Sequence, residues 1–213
     1  MENKKLTELL NLVKRNITLS DLGILYAHNG YDDERYRELK EINLEILDIL
    51  TDENVNLEKL HDFYLPISEY PTPKVEVRGL LLNENDEVLM VEEKLDPGKW
   101  SIPGGWCDIG FSPKEVMIKE MKEETGLDVE IVKVLAIFDK KFHNHPADTF
   151  YTYKIAFLCK KLDGNLKTTF DITNVKFFKL DNLPPLSTYR ILEEQIKTLV
   201  NLAKDENSKT YFE

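Results

Sequence analysis

The stretch Pro103–Leu127, PGGWCDIGFSPKEVMIKEMKEETGL, decides the fold. Ser112 and Glu115 stand at capping-box spacing, and Pro113 takes the first helical position, where no N–H is needed, so a helix opens there. Gly126 closes it as the C-cap residue. Inside, Glu120, Glu123 and Glu124 fall at i, i+3 and i+4 and share one face. Like charges at that spacing destabilise an isolated helix by roughly 0.2–0.5 kcal/mol. Alone, such a trio reads as a solvated face softened by Lys119 and Lys122. Behind Gly104-Gly105, which lets backbone approach a ligand closely, it reads as a site for a hard divalent cation that also holds substrate phosphates.

Outward from this helix, the apolar period downstream is two. Val75, Val77 and Gly79 alternate with Glu76 and Arg78, and the turn Asn83–Asp86 precedes the apolar run Val88–Val91. Further strands are expected at Val129–Phe138, Phe150–Cys159 and Val175–Leu180, with a hairpin-type turn at Asp163-Gly164-Asn165 and a second helix from about Tyr189 to Ala203. Intermixed strands and helices predict a layered α/β (α+β) domain. Upstream the period is helical: Leu6, Leu9, Leu10, Val13 and Ile17 make one stripe, and Leu39, Ile42, Ile46 and Leu50 another. Ser20 reads as an N-cap and Asn29-Gly30 as a helix stop, which gives three or four helices with a short last one near Leu57–Phe63. Pro66, Pro71 and Pro73 mark a linker. The expected division is a small all-α module over residues 1–66, a linker over 67–73 and an α/β domain over 74–213.

Composition narrows the function classes. The 213 residues carry 28 basic and 39 acidic side chains, a net charge of −11. A pI near 5.0 excludes non-specific binding to nucleic acid or anionic membranes. The helical module alone holds 8 basic and 14 acidic residues, so it reads as a dimerisation or substrate-covering element rather than a nucleic-acid reader. No apolar run approaches the roughly 20 residues of a membrane span, and MENKKLTELLNLVKRN lacks a signal-peptide core. Two cysteines, Cys107 and Cys159, make neither a disulfide framework nor a metal site. A cytoplasmic protein is expected.

The quoted stretch resembles the Nudix box, G-x5-E-x7-R-E-U-x-E-E-x-G-U, in which U is a bulky aliphatic residue. Gly105, Glu120, Met121, Glu123, Glu124, Gly126 and Leu127 match in order. VLMVEEKLDPGKWSIPGGW is similar to the strand and loop that lead into that box. Gly23–Ile42 resembles the helical module that precedes the Nudix domain in hydrolases of X-linked nucleoside diphosphates. The resemblance implies a Nudix α/β/α sandwich with a mixed sheet behind the helical module. It also implies Mg²⁺- or Mn²⁺-dependent hydrolysis of a nucleoside diphosphate linked to X, with CDP-choline favoured, ADP-ribose the alternative and a homodimer as the assembly. Glu120, Glu123 and Glu124 would be catalytic and, with the Gly105 carbonyl, would hold the metal. Arg78, Trp106 and His143 would bind substrate.

Two box positions depart. Phe111 replaces the first glutamate and Lys119 the arginine, so their pairing is absent and a non-catalytic Nudix-fold binding module stands as the rival reading. Phe111 is expected to pack on Val116 as a hydrophobic staple. Glu92 stands where relatives often carry arginine near the phosphates. Asp139, His145 and Asp148, with His143, lie in a loop of the kind that recruits a general base, and Asp171 is a late candidate. Trp106 has a second reading as core filler and Arg78 as an exposed strand residue. Cys107 is expected to be a neutral packed thiol.

Overall fold

The computed structural model describes residues 2–50, 70–108, 110–146, 148 and 150–213. It divides into two units, residues 1–73 with 147–151 and residues 74–146 with 152–213. The expected helix near Leu57–Phe63 and the start of the linker at Pro66 lie outside the described residues.

In the first unit, helices α1 (Glu2–Leu25) and α2 (Gly30–Leu50) pack Leu10, Val13 and Ile17 against Leu44 and Leu47. Three expectations change. Helix α1 runs through Ser20, whose Oγ donates to the Asn16 carbonyl at 2.9 Å instead of capping a new helix. Asn29 opens a helix rather than ending one, because its Oδ1 accepts the Asp32 N–H at 3.0 Å. On α2, Leu39 and Ile42 are exposed while Lys40, Asn43, Leu44 and Leu47 are buried. A buried Lys40–Asp21 ion pair of 2.8 Å turns that line inward, a register that counting apolar residues misses.

The second unit is the expected mixed α/β fold. Its elements are β1 (Lys74–Leu81), β2 (Val88–Glu93), β3 (Trp100–Ser101), α3 (Pro113–Thr125), β4 (Asp128–Asp139), β5 (Thr152–Asp163), β6 (Ile172–Phe178), α4 (Glu193–Lys204) and β7 (Tyr211–Phe212). One sheet has the order β1-β5-β4-β7 and the other β3-β2-β6. Strands β1 and β5 are parallel, β4 and β5 antiparallel, β4 and β7 parallel. Helix α3 packs Val116, Met117 and Met121 onto Val77, Leu81, Val129 and Phe157. Helix α4 packs Ile196, Leu199 and Val200 with Leu80, Val88, Met90 and Ala136. The first sheet thus carries a helix on each face.

Alternation along β1 sends Val77, Gly79 and Leu81 toward α3, and Glu76, Arg78 and Leu80 to the opposite face. Parallel register sets Glu76 directly beside Lys154 of β5. The turn at Asp163 is not a hairpin, because β6 leaves for the other sheet and pairs with β2. Helix α4 begins at Glu193, not at Tyr189, since Arg190 and Ile191 both donate their N–H to the Ser187 carbonyl in a turn.

Candidate active site

The glycine loop is laid along the free edge of β1. Gly79 N–H donates to the Pro103 carbonyl at 2.8 Å, Val77 N–H to the Gly105 carbonyl at 2.8 Å, and Cys107 N–H to the Val75 carbonyl at 2.9 Å. Gly104 has φ +146°, and a Cβ there would sit 2.0 Å from the Val77 carbonyl oxygen. A Cβ on Gly105 would meet the Glu120 carboxyl carbon at 2.9 Å. Bare backbone at these two positions therefore lets β1, the loop and α3 converge.

Helix α3 starts with the expected box: Ser112 N–H donates to Glu115 Oε2 at 2.8 Å, and Glu115 N–H to Ser112 Oγ at 3.3 Å. With Met117 and Met121 fixing its buried face, the three glutamates form a gradient. Glu124 is 7% exposed and its Oε2 accepts the Gly104 N–H at 2.8 Å. Burial pushes its carboxyl up to about 8, against the lowering pull of that bond and of Arg78. Glu120 is half-buried, and burial first, then the neighbouring Glu123 charge, raises it above its ordinary value. Glu123 is exposed.

Behind this face lies a buried charge network. Arg78 Nη1 donates to the carbonyls of Gly104 at 3.1 Å and Ile102 at 3.3 Å and to Ser101 Oγ at 3.3 Å, while Nη2 meets Glu76 Oε2 at 3.4 Å. The Arg78 Nε is buried without a hydrogen-bond partner among the described residues. Glu76 Oε1 lies 2.5 Å from Lys154 Nζ. Lys154 is 1% exposed, donates to the Arg190 carbonyl, and is pushed down to about 7 by burial, against the pull of Glu76. Arg190 in turn pairs with Glu93 at 2.5 Å.

The structure brings Gly105, Glu120, Glu123, Glu124 and Arg78 together and sets Trp106 beside them. Trp106 lies on the loop in a bridge with Glu76, leaves 48% of its surface exposed and has Lys74 over its ring at 5.5 Å, so it is not core filler. Arg78 is not the exposed strand residue of its second reading but buried. His143 lies at the end of the turn Lys140–Phe142, where its Nε2 is 2.9 Å from Glu213 Oε1 and its ring meets Phe138 edge-on at 5.0 Å. Its ring nitrogens thus face acidic side chains on the C-terminal elements. His145 Nδ1 donates to the Thr188 carbonyl at 2.6 Å, and burial first, then the Lys154 charge, holds it down to about 3. Asp139 caps the turn before His143, and Asp171 accepts from Thr169 Oγ1 at 2.7 Å. Cys107 is half-buried with its thiol raised by burial, as expected.

Phe111 does not staple onto Val116. It is 54% exposed, while Val116 is fully buried. The chain enters α3 through the Ser112–Glu115 bonds and a Phe111 N–H to Asp108 carbonyl turn of 3.3 Å, which need no apolar anchor. Nor is Lys119 without an acidic partner: it meets Asp108 at 2.8 Å and Glu123 at 3.9 Å. The acid paired with this position has moved from residue 111 to residue 108. Glu92 braces the following loop, its carboxylate accepting Gly98 N–H at 2.6 Å and the Asn174 amide.

Sequence reasoning missed Asp108, Glu93, Arg190, and the pairing of Glu76 with Lys154. A signal existed for the last pair: Lys154 is the single charge inside the strand stretch YKIAF, and Glu76 and Arg78 are the charges inside VEVRGLL. Cations and anions on a buried β-face must find each other.

A profile of the NUDIX domain matches residues 72–199, and one described as a UDP-X-like, N-terminal oligomerisation domain matches residues 7–64. The chain is 36% identical over 207 residues, 97% of its own length and 98% of the relative's, to the Bacillus subtilis protein YjhB, which carries an ADP-ribose pyrophosphatase name. An ADP-ribose pyrophosphatase from Methanocaldococcus jannaschii is 30% identical over 55% of this chain and 69% of that one. Among solved structures, a UDP-X diphosphatase aligns over 98% of this chain and 99% of that one at 29% identity, TM-score 0.63. An ADP-ribose pyrophosphatase from Streptococcus suis aligns over 67% of this chain and all of that one at 37% identity, TM-score 0.60. The chain therefore belongs to the Nudix family: it is a Nudix hydrolase with an N-terminal UDP-X-like oligomerisation domain.

Proposed function

We propose that this chain hydrolyses the pyrophosphate bond of a nucleoside diphosphate linked to X, with ADP-ribose as the first substrate to test and UDP-linked compounds next. The names of its relatives point to ADP-ribose and UDP-X, so CDP-choline loses the preference the sequence reading assigned it. A non-catalytic module is set aside by an enzyme-named relative matching across nearly the whole chain and by the three helix glutamates, Glu120, Glu123 and Glu124, standing in place.

The observation that carries the reading is the junction of Glu124 with the glycine loop. A carboxyl held up to about 8 by burial, beside a second raised carboxyl on Glu120, is an arrangement that a divalent cation relieves. The donors fit Mg²⁺ or Mn²⁺: carboxylate oxygens of Glu120, Glu123 and Glu124, and the Gly105 carbonyl, whose second lone pair is left after Val77. Among the described residues no three acid, imidazole or thiolate groups close into a cation cage. An ion held here would have to draw the rest of its shell from phosphate and water. When bound, such an ion supplies neutralisation of phosphate charge and acidification of water.

The residues of the chain do the rest. Glu124 and Gly104 fix the turn that approaches the diphosphate. Arg78 orients the same turn through its carbonyls and keeps one buried donor unmatched. Glu120 would accept the proton of the attacking water at the carboxylate oxygen that does not face the cation. Trp106 offers its exposed face to a base, and His143 shapes the neighbouring loop. The products are a nucleoside monophosphate and phosphorylated X. The exposed apolar side chains Leu9, Leu12 and Leu19 on α1 and Leu39, Ile42 and Ile49 on α2 support assembly of two copies through the first unit.

The test is turnover of ADP-ribose, UDP-glucose and CDP-choline with Mg²⁺ or Mn²⁺ and with chelator. Metal-dependent release of AMP from ADP-ribose is expected. Absent or chelator-resistant turnover throughout overturns the proposal.

A further inference from the structure

We infer that Arg190 is a substrate-binding residue: it supplies the guanidinium that grips the diphosphate, held ready by Glu93, Ser187 and Lys154. The inference rests on the diphosphate substrate proposed above and adds to it a residue that no box motif contains.

The acidic cluster creates the need. Glu120, Glu123 and Glu124 share the helix face behind the glycine loop, where the proposed diphosphate must enter, and Glu93 ends strand β2, whose Glu92 pairs with Trp100 just before that loop. Cations must offset them. Three sit in one connected network, and two are sealed: Arg78 is 4% exposed and Lys154 1%. The neighbouring Glu92 supplies no cation, its carboxylate being turned to Gly98 and Asn174. Arg190 is the member of the network that reaches solvent, with a quarter of its side chain exposed.

Its geometry is that of a prepared clamp. Nη1 donates to Ser187 Oγ at 2.9 Å and Nη2 to Glu93 Oε2 at 2.5 Å. A guanidinium has five N–H donors, so these two bonds fix the plane and leave three for an incoming phosphate. Asp96 lies 3.7 Å away and adds orientation. The backbone is fixed as well, because the Lys154 ammonium bonds the Arg190 carbonyl and is itself paired with Glu76. That pairing continues through Arg78 to the Gly104 carbonyl, so clamp and glycine loop share one rigid frame. Pre-organisation of this kind lowers the ordering cost of binding.

The experiment compares the full-length protein with Arg190→Gln and Arg190→Lys, using ADP-ribose turnover with Mg²⁺ and calorimetric binding of ADP with Mg²⁺. A clamp acting equally on bound substrate and transition state raises KM with little change in kcat. We expect Arg190→Gln to raise KM at least tenfold with kcat within threefold, and to weaken ADP binding by a similar factor. Arg190→Lys should recover only part of this, since an ammonium lacks the fork. KM and ADP affinity both within twofold of the parent in Arg190→Gln overturn the inference. If the parent binds ADP but turns over no substrate, the proposed reaction fails while the ADP comparison still decides the role of Arg190. If the parent binds no ADP, the inference falls with it.

Discussion

Replacing Glu124 by glutamine should make the metal-free protein more stable at neutral pH while abolishing its activity. The carboxyl is 7% exposed and burial lifts it from 4.5 to about 8, so in the folded chain it stays protonated where the unfolded chain has already ionised. Between those two values the native state binds one more proton than the unfolded state, and stability falls as pH rises, by about 1.4 kcal/mol per pH unit. No penalty exists below pH 4.5. At pH 7 it amounts to about 3 kcal/mol, and above pH 8 it levels off near 5 kcal/mol by the same linkage. Glutamine is neutral at every pH, and its carbonyl oxygen can still accept the Gly104 N–H. For a domain of this size 3 kcal/mol corresponds to roughly 6–12 °C in Tm.

The assay is thermal and urea unfolding of parent and Glu124→Gln in chelator at pH 5, 6, 7 and 8. The two should differ least at pH 5, by about 1 kcal/mol or less, and diverge steadily up to pH 8, the variant being more stable. Adding Mg²⁺ should stabilise the parent more than the variant, because the cation offsets the buried charge only where one exists. A pH-independent difference between the two proteins, or a variant less stable than the parent at pH 8, would refute the reasoning.

Two further predictions concern the network and the helix entry. Glu76→Gln leaves Lys154 and Arg78 buried without their shared anion and should cost about 3–5 kcal/mol, the range for a broken buried pair. Urea unfolding reads this directly, and a loss below about 1 kcal/mol would show that the cations find other partners. Phe111→Glu, at a site 54% exposed, should change stability by no more than about 0.5 kcal/mol; a fall in Tm beyond about 4 °C would show that the ring is needed.

The legible part of this protein was local. The capped helix with its glutamates and the glycine loop rest on spacing within a few residues and are found where the spacing puts them, and the main strands are found with ends shifted by a few residues. Errors came where tertiary partners decide. Ser20 sits mid-helix because Asn16 accepts its hydroxyl proton. The inward line of α2 is set by a lysine that Asp21 neutralises. Strands β3 and β7 span two residues each, too short for any period to register. At the site, the glutamate trio was visible but its gradient of burial was not, since that depends on a loop twenty residues upstream lying against the helix. The partners Lys154 and Arg190 come from parts of the chain that only the sheet register and the turn before α4 bring near Glu76.

The exchange of Glu and Arg for Phe111 and Lys119 shows how a family pattern can break without losing its physics. The expected pair would join the loop end to the helix, so that the helix presents its following glutamate at a fixed angle. Here Lys119 and Asp108 join the same two elements at 2.8 Å. Because Asp108 lies three residues earlier, Phe111 is relieved of that duty and is left on the surface. An ammonium is less directional than a guanidinium, yet the angle of the helix does not hang on this exposed pair, which contributes at most about 1 kcal/mol. It is fixed from behind by Val116, Met117 and Met121 in the core and from the front by Gly104 N–H on Glu124. The same burial that makes the Glu124 charge costly is therefore what fixes the three carboxylates in register on the helix face, so that stability is lost where the proposed chemistry needs charge.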